Sequence, residues 1–171
     1  MSVANEHGAV GVLNDWADNH RHQPLREVAE AALAWALLVV EYLAEQANTW
    51  QDPLTTLQLG TGDCEDFALL WFLLLRLSGA RHDQVRLAHV VSSNGAHMVL
   101  VVYPPGGAPF VLDNLHPEGL QPRGAYVPVY EFNEGGIYVD GRLTGNHEKR
   151  LDPVLARLAE HWPEFTVDIT G

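Results

Sequence analysis

The sequence predicts an α+β fold, with helices first and an antiparallel sheet after them. Three observations carry this. Residues 25–77 contain two long stretches of strong helix formers, with one Pro-containing break between them. From residue 85 the pattern changes to short β-branched and aliphatic runs separated by Gly, Pro and Asn. Strands and helices do not alternate, so the βαβ units of a parallel sheet are not expected. With 171 residues, 47% hydrophobic and 19% charged, the chain has an ordinary globular balance and the size of one domain, so residues 1–171 are expected to form one.

The elements follow in chain order. Residues 1–23 are polar and rich in His and Asn, and they read as a polar leader that stops at Pro24, a good first residue for a helix. Residues 25–47 are rich in Ala, Leu and Glu, and the central AALAWALLVV is apolar on nearly every side, which predicts a helix packed against more than one neighbour. The stretch NTWQDPLTTLQLGTG reads as an irregular loop. A second helix is expected over 64–77, with acidic residues in its first turn and Gly79 just past its end. Strands are expected at 85–92 and 97–103 around a hairpin turn at 93–96, then at 110–114, 126–132 and 136–139. Residues 140–171 read as a C-terminal extension, with a terminal helix over 153–161.

Charge excludes several partners. Ten Lys and Arg against 22 Asp and Glu give 10 − 22 = −12, and no basic patch is visible, so neither nucleic acid nor an anionic membrane surface is an expected partner. The longest apolar run, 31–40, is half of the roughly 20 residues a bilayer crossing needs, so no membrane insertion is expected. The opening MSVANEHGAVGVL has neither a basic n-region nor an apolar h-region. A cytoplasmic protein, or an exported one whose leader has been removed, is therefore expected. Cys64 is the one cysteine, which excludes an internal disulfide and leaves it to act as a thiol.

Cys64, His97 and Asp113 belong together chemically. Cys64 falls in the first turn of its helix, where free backbone N–H groups favour a thiolate over a thiol. His97 starts one strand and Asp113 ends the next, so a hairpin can bring them side by side. A carboxylate that holds an imidazole fixes its tautomer, and the imidazolium can then pair with the thiolate. Helix, strand, strand in the order Cys, His, Asp is the order of papain and transglutaminase sites. Each residue also has a plain reading: a buried small hydrophobe, a structural histidine and a turn aspartate. Asn114 either supports Asp113 or serves a turn.

The acids beside the thiol read in two ways. Asp63 and Asp66 suit an N-cap and its capping box, and Glu65 complements the helix dipole. Three negative charges also oppose a thiolate, so a reactive Cys64 calls for a hard cation such as Ca²⁺ on oxygen ligands. No organic cofactor is expected.

Four segments together carry a family resemblance: TWQDPLTTLQLGTGDCEDFALLWFLLLRLSG, AHMVLVVY, FVLDNL and VPVYEFNEGGIYV. They resemble the bacterial transglutaminase-like cysteine peptidases, most of all the LapG-type periplasmic proteases, over residues 48–139. The resemblance implies a papain/transglutaminase-like fold, with the Cys64 helix packed on an antiparallel sheet that carries His97 and Asp113. It implies Cys64, His97 and Asp113 as a catalytic triad and Asp63, Glu65 and Asp66 as calcium ligands. It also places Trp50, by its side chain or a nearby amide, at the oxyanion hole. The implied activity is cleavage of very large surface adhesins near an Ala-Ala site, which releases biofilm cells from the bacterial surface. The resemblance also implies control by a membrane-bound cyclic-di-GMP receptor that sequesters the protease. The helix before Trp50 and the tail after Gly141 are not explained by this resemblance.

Acyl transfer is the expected chemistry: Cys64 attacks a carbonyl, His97 protonates the leaving amine and then activates water, and Asp113 orients His97. With water as acceptor the protein is a peptidase. The alternatives are an amidase or transglutaminase with the same triad, or a non-catalytic calcium-responsive binding protein. Trp71, Phe72 and the leucines after them are expected in the core. His20 and His22 are expected to be exposed, His116 is the rival histidine to His97, and Tyr130, Glu131 and Phe132 are better explained by strand packing than by a substrate groove.

Overall fold

A computed structural model describes residues 5–44, 49–93 and 95–166. Helix α1, Glu6–His20, opens with Asn5 accepting a hydrogen bond from the Gly8 N–H at 2.8 Å. It buries Ala9, Leu13, Trp16 and Ala17, spaced so as to share one face. Helix α2, Leu25–Val39, follows Pro24 and buries Val28, Ala29, Ala32, Leu33 and Ala36. Val40 then turns extended and leads into β1, Glu41–Tyr42. Helix α3, Pro53–Leu59, is capped by Asp52, which accepts from the Thr55 N–H at 3.1 Å, and ends at Gly60 in the left-handed conformation (φ +72°) that glycine adopts without strain. Strand β2, Thr61–Gly62, pairs with β1 in parallel.

Helix α4, Cys64–Leu77, is the axis of the molecule. Every residue from Asp66 to Leu75 is buried, because α4 packs against α1, α2 and α3 as well as against the sheet. Trp71 is fully buried, and its indole N–H donates to the Ala32 carbonyl of α2 at 3.1 Å. The sheet has seven antiparallel strands. They are β3 (Val85–Ser92), β4 (Gly95–Val102), β5 (Phe110–Leu112), β6 (Gln121–Pro122), β7 (Pro128–Asn133), β8 (Gly136–Val139) and β9 (Arg142–Leu143), in the spatial order β6-β5-β4-β3-β7-β8-β9. Period-two alternation sends Leu87, Met98, Leu100, Val102 and Leu112 into the main core. The residues between them, Ala88, Val90, Val99, Val101 and Val111, form a second cluster on the other face. Helix α5, Asp152–Ala159, follows a 3-10 turn at Lys149–Leu151 and seals the core with Leu151, Val154, Leu155 and Leu158.

Several expectations change. The segment read as a polar leader, 1–23, contains α1. Its His and Asn residues lie on the outer face of an amphipathic helix whose inner face is core. The helix expected over 25–47 stops at Val39, and residues 45–48 lie outside the described residues. The expected loop after it contains α3 and β2, set by an Asp-Pro start and a Gly stop. The extension at 140–171 is no appendage as far as it is described: Leu151, Trp162 and Phe165 belong to the main core, and Arg157 and His161 both bond Glu6 of α1. Strand β5 ends at Leu112, before the expected residue 114, because the Asp113 side chain turns back to accept the Leu115 N–H. None of the described helices is long and apolar enough to cross a membrane.

Candidate active site

The thiol is placed by its own helix start. Asp63 caps α4 by accepting from the Asp66 N–H at 3.3 Å, while Asp66 accepts from the Asp63 N–H at 3.1 Å, a complete capping box. A second backbone N–H, that of Gln51, donates to the other oxygen of Asp66 at 2.9 Å. Gly62 permits this crowding, because a side chain there would come within 2.8 Å of the Asp66 Cβ. Asp66 is fully buried and each of its oxygens accepts a backbone N–H, so it frames the helix start. Cys64, half-buried, sits in the first turn.

Across from it stands His97, on β4. Its Nε2 meets Asp113 Oδ1 at 2.7 Å, and both side chains are buried. That leaves Nδ1 for the Cys64 thiol. Burial works against a charged ring here, but hydrogen bonds to Asp113 and Cys64 outweigh it and raise the His97 pKa to about 9. Burial would raise Asp113; hydrogen bonds from His97, the Tyr126 hydroxyl (2.6 Å, onto Oδ2) and the Leu115 N–H (3.0 Å) win and hold it below the usual carboxylate range. The groups that hydrogen-bond Asp113 are all donors, which favours its charged form.

The acids on the nucleophile side are in the opposite condition. Burial comes first, followed by a hydrogen bond to Asp63 and the charges of Asp63 and Asp66; together they push Glu65 up to about 8, against a smaller opposing pull from Arg150. An oxygen-seeking cation would relieve this crowding of acids on Glu65, so the donor set of Asp63 and Glu65 fits Ca²⁺. Tyr42 lies beside them through its pairing with Gly62, and burial together with the charges of Cys64, Asp63 and Glu65 raises its phenol.

Trp50 is buried against Phe132, with ring centroids 5.5 Å apart, and its indole N–H has no hydrogen-bond partner among the described residues. Asn114 Oδ1 is buried without a hydrogen-bond partner among the described residues, and the bonds that Asp113 accepts come from His97, Tyr126 and the Leu115 N–H. His116 pairs with Glu118 at the surface at 2.8 Å and is no rival to His97. His20 stacks on Trp16, and His22 is exposed. Tyr126, Tyr42 and Arg150 are the site residues that sequence reasoning missed; each arrives through tertiary packing, and only Tyr126 fell within an expected strand, 126–132, which begins at Pro128 instead.

The profile of the bacterial transglutaminase-like cysteine proteinases matches residues 20–123, a span that contains Trp50, Asp63, Cys64, Glu65, His97 and Asp113. No curated protein sequence matches the chain. Three solved structures of LapG from Legionella pneumophila share the fold. The calcium-bound one is 24% identical with a TM-score of 0.77, covering 92% of this chain and 99% of that one. The EGTA-treated one is 27% identical with a TM-score of 0.75, covering 90% and 88%. A third LapG structure is 27% identical with a TM-score of 0.76, covering 90% and 86%.

Proposed function

The chain belongs to the bacterial transglutaminase-like cysteine proteinases and is a cysteine peptidase, and from that premise we propose that Cys64, His97 and Asp113 are its catalytic triad and that calcium held by Asp63 and Glu65 arms it. The observation that carries this is the buried 2.7 Å contact of His97 with Asp113, on an imidazole within electrostatic reach of the chain's one thiol at the start of a helix.

The Cys64 thiolate attacks the scissile carbonyl carbon, forming the C–S bond and pushing the carbonyl π electrons onto oxygen. The oxyanion is received by the Cys64 backbone N–H at the start of α4 and by the orphaned indole N–H of Trp50. As the oxyanion collapses the C–N bond breaks, and His97 gives its proton to the leaving amine. The neutral imidazole then takes a proton from water, whose oxygen attacks the thioester and releases the acid and the thiolate. Asp113, anchored by Tyr126 and the Leu115 N–H, holds the ring in one tautomer through both steps. Bound calcium supplies positive charge beside the thiolate. A calcium-bound LapG structure with this fold supports that reading.

The proposed substrate is a large bacterial surface adhesin cut near an Ala-Ala site, in a periplasmic setting under a membrane-bound cyclic-di-GMP receptor. The experiment that tests the triad needs no substrate: alkylation of Cys64 by iodoacetamide at about pH 6, where an ordinary thiol of pKa roughly 8.5 is nearly inert. Fast labelling that is lost in His97→Ala supports the triad; slow labelling indifferent to His97 and Asp113 overturns it. Cleavage of an Ala-Ala-bearing adhesin fragment by wild type and not by Cys64→Ala then tests the substrate.

A further inference from the structure

Arg150 lies outside the matched span, on the 3-10 turn that leads into α5, yet its guanidinium reaches back to the site. It lies over the Trp50 ring, 4.6 Å from the centroid, with Phe132 stacked 5.5 Å from that ring. Such a guanidinium–indole contact fixes the plane of the ring. The fork is itself held on several sides. Nε donates to Glu148 Oε1 at 2.9 Å, and one terminal nitrogen donates to Glu148 Oε2 at 3.1 Å and to the Tyr130 hydroxyl at 3.0 Å. That nitrogen also faces His89 Nε2 at 3.1 Å. Arg has no lone pair to offer, so His89 Nε2 is the acceptor and its proton sits on Nδ1. Burial and the Arg150 charge keep His89 neutral, at about 4. From the other direction, Gln51 ties the same loop to the start of α4, through its N–H on Asp66 and its amide on the Thr61 carbonyl.

A buried tryptophan clamped on its rings and fixed through its neighbour, with its one polar atom left unpaired, is ordered for something other than its own hydrogen bond. We infer that Arg150 is a positioning residue, which holds the Trp50 indole so that its free N–H serves the oxyanion. This deepens the thiol-peptidase reading and rests on it. It gives the C-terminal segment a role in the chemistry.

Two reagents separate this role from simple structural support. Iodoacetamide alkylates the Cys64 thiolate by displacing iodide at a saturated carbon, with no oxyanion. With p-nitrophenyl acetate the thiolate attacks the acetyl carbonyl, the C–O bond breaks, p-nitrophenolate leaves, and the step passes through a tetrahedral oxyanion. Arg150→Gln is expected to slow acylation by about tenfold to a hundredfold more than it slows alkylation, the scale of a misplaced reacting group. Trp50→Phe is expected to slow acylation at least as much, and the double variant no more than Trp50→Phe alone, since Arg150 acts through the indole. Arg150→Lys keeps the charge without the planar fork and is not expected to restore the rate. Unchanged acylation in Arg150→Gln overturns the inference, as does a parallel fall in both rates or full restoration by Arg150→Lys. In those cases a wild-type thiol that is readily acylated leaves the peptidase reading standing. A wild-type thiol that reacts no faster than free cysteine with either reagent overturns both.

Discussion

The two halves of the site are built to opposite standards. On the base side, Asp113 collects donors from His97, Tyr126 and Leu115, and His97 is held protonated to about 9, so every charge has its complement within the protein. On the nucleophile side, Asp63, Glu65 and Asp66 crowd the start of α4, and burial together with its acidic neighbours pushes Glu65 up to about 8. The protein completes the half that orients protons. On the proposed calcium reading, the half that makes the thiolate would draw its positive charge from a bound cation, which would set activity without touching the His–Asp geometry.

The largest expected effect breaks the finished half. Removing the imidazole in His97→Ala should lower acylation of Cys64 by p-nitrophenyl acetate by about a thousandfold or more, and Asp113→Asn should approach that because it favours the wrong tautomer. Stopped-flow release of p-nitrophenolate checks both. Losses smaller than about tenfold would mean that the base half is structural.

Calcium should act on the unfinished half alone. At a hundredfold excess over its Kd, a ligand of the folded state contributes about 2.7 kcal/mol, or about 5–10 °C in Tm for a chain of this size. Thermal unfolding in millimolar calcium and in chelator measures the shift, and Glu65→Gln should remove it. The pH dependence sharpens the point. A carboxyl group raised in the folded state contributes stability that is fully present below its unfolded pKa and lost as pH rises through its folded pKa. For Asp66 and Glu65 that loss runs through about 7 and 8. His97, raised from 6.5, contributes stability that is present below 6.5 and lost as pH rises through about 9. In chelator, Tm should therefore fall across both windows. Calcium should flatten the lower one, where it takes the place of the Glu65 proton, and leave the upper one unchanged.

The sequence carried the nucleophile half further than the base half, for a physical reason. Capping boxes, acids in a first helical turn and a thiol beside them are contiguous, so their chemistry is visible in one short string, GDCEDF. His97 and Asp113 are legible because adjacent antiparallel strands make their pairing nearly a matter of register. Tyr126 is not: its hydroxyl reaches Asp113 only through the 3-10 turn at Arg123–Ala125, which no local pattern announces. Arg150 is harder still, since it crosses from the C-terminal segment to Trp50. The fold shows the same divide. α4 and the longer strands β3, β4, β5, β7 and β8 were legible from composition and period, whereas the two-residue strands β1, β2, β6 and β9 are too short to show one. α1 was hidden because its polar outer face dominates its composition, and α3 because seven residues are too few to show a period.

The smallest expected effect is the most discriminating. Tyr126→Phe removes one donor from Asp113 and leaves Oδ2 buried without that partner, a cost of about 1–3 kcal/mol to stability. Asp113 keeps His97 and the Leu115 N–H, so the acylation rate should fall by only about fivefold to tenfold, far less than in Asp113→Asn. The informative quantity is the ratio of mutant to wild-type rates, measured with and without calcium. If the base half is complete in itself and calcium acts only beside the thiol, the coupling through His97, which answers to both Asp113 and Cys64, is small and the free energies add, so the ratio is nearly the same in both conditions. A ratio that closes up when calcium is added would mean that the cation also tightens His97 on Asp113, and the division of the site into a finished and an unfinished half would not survive it.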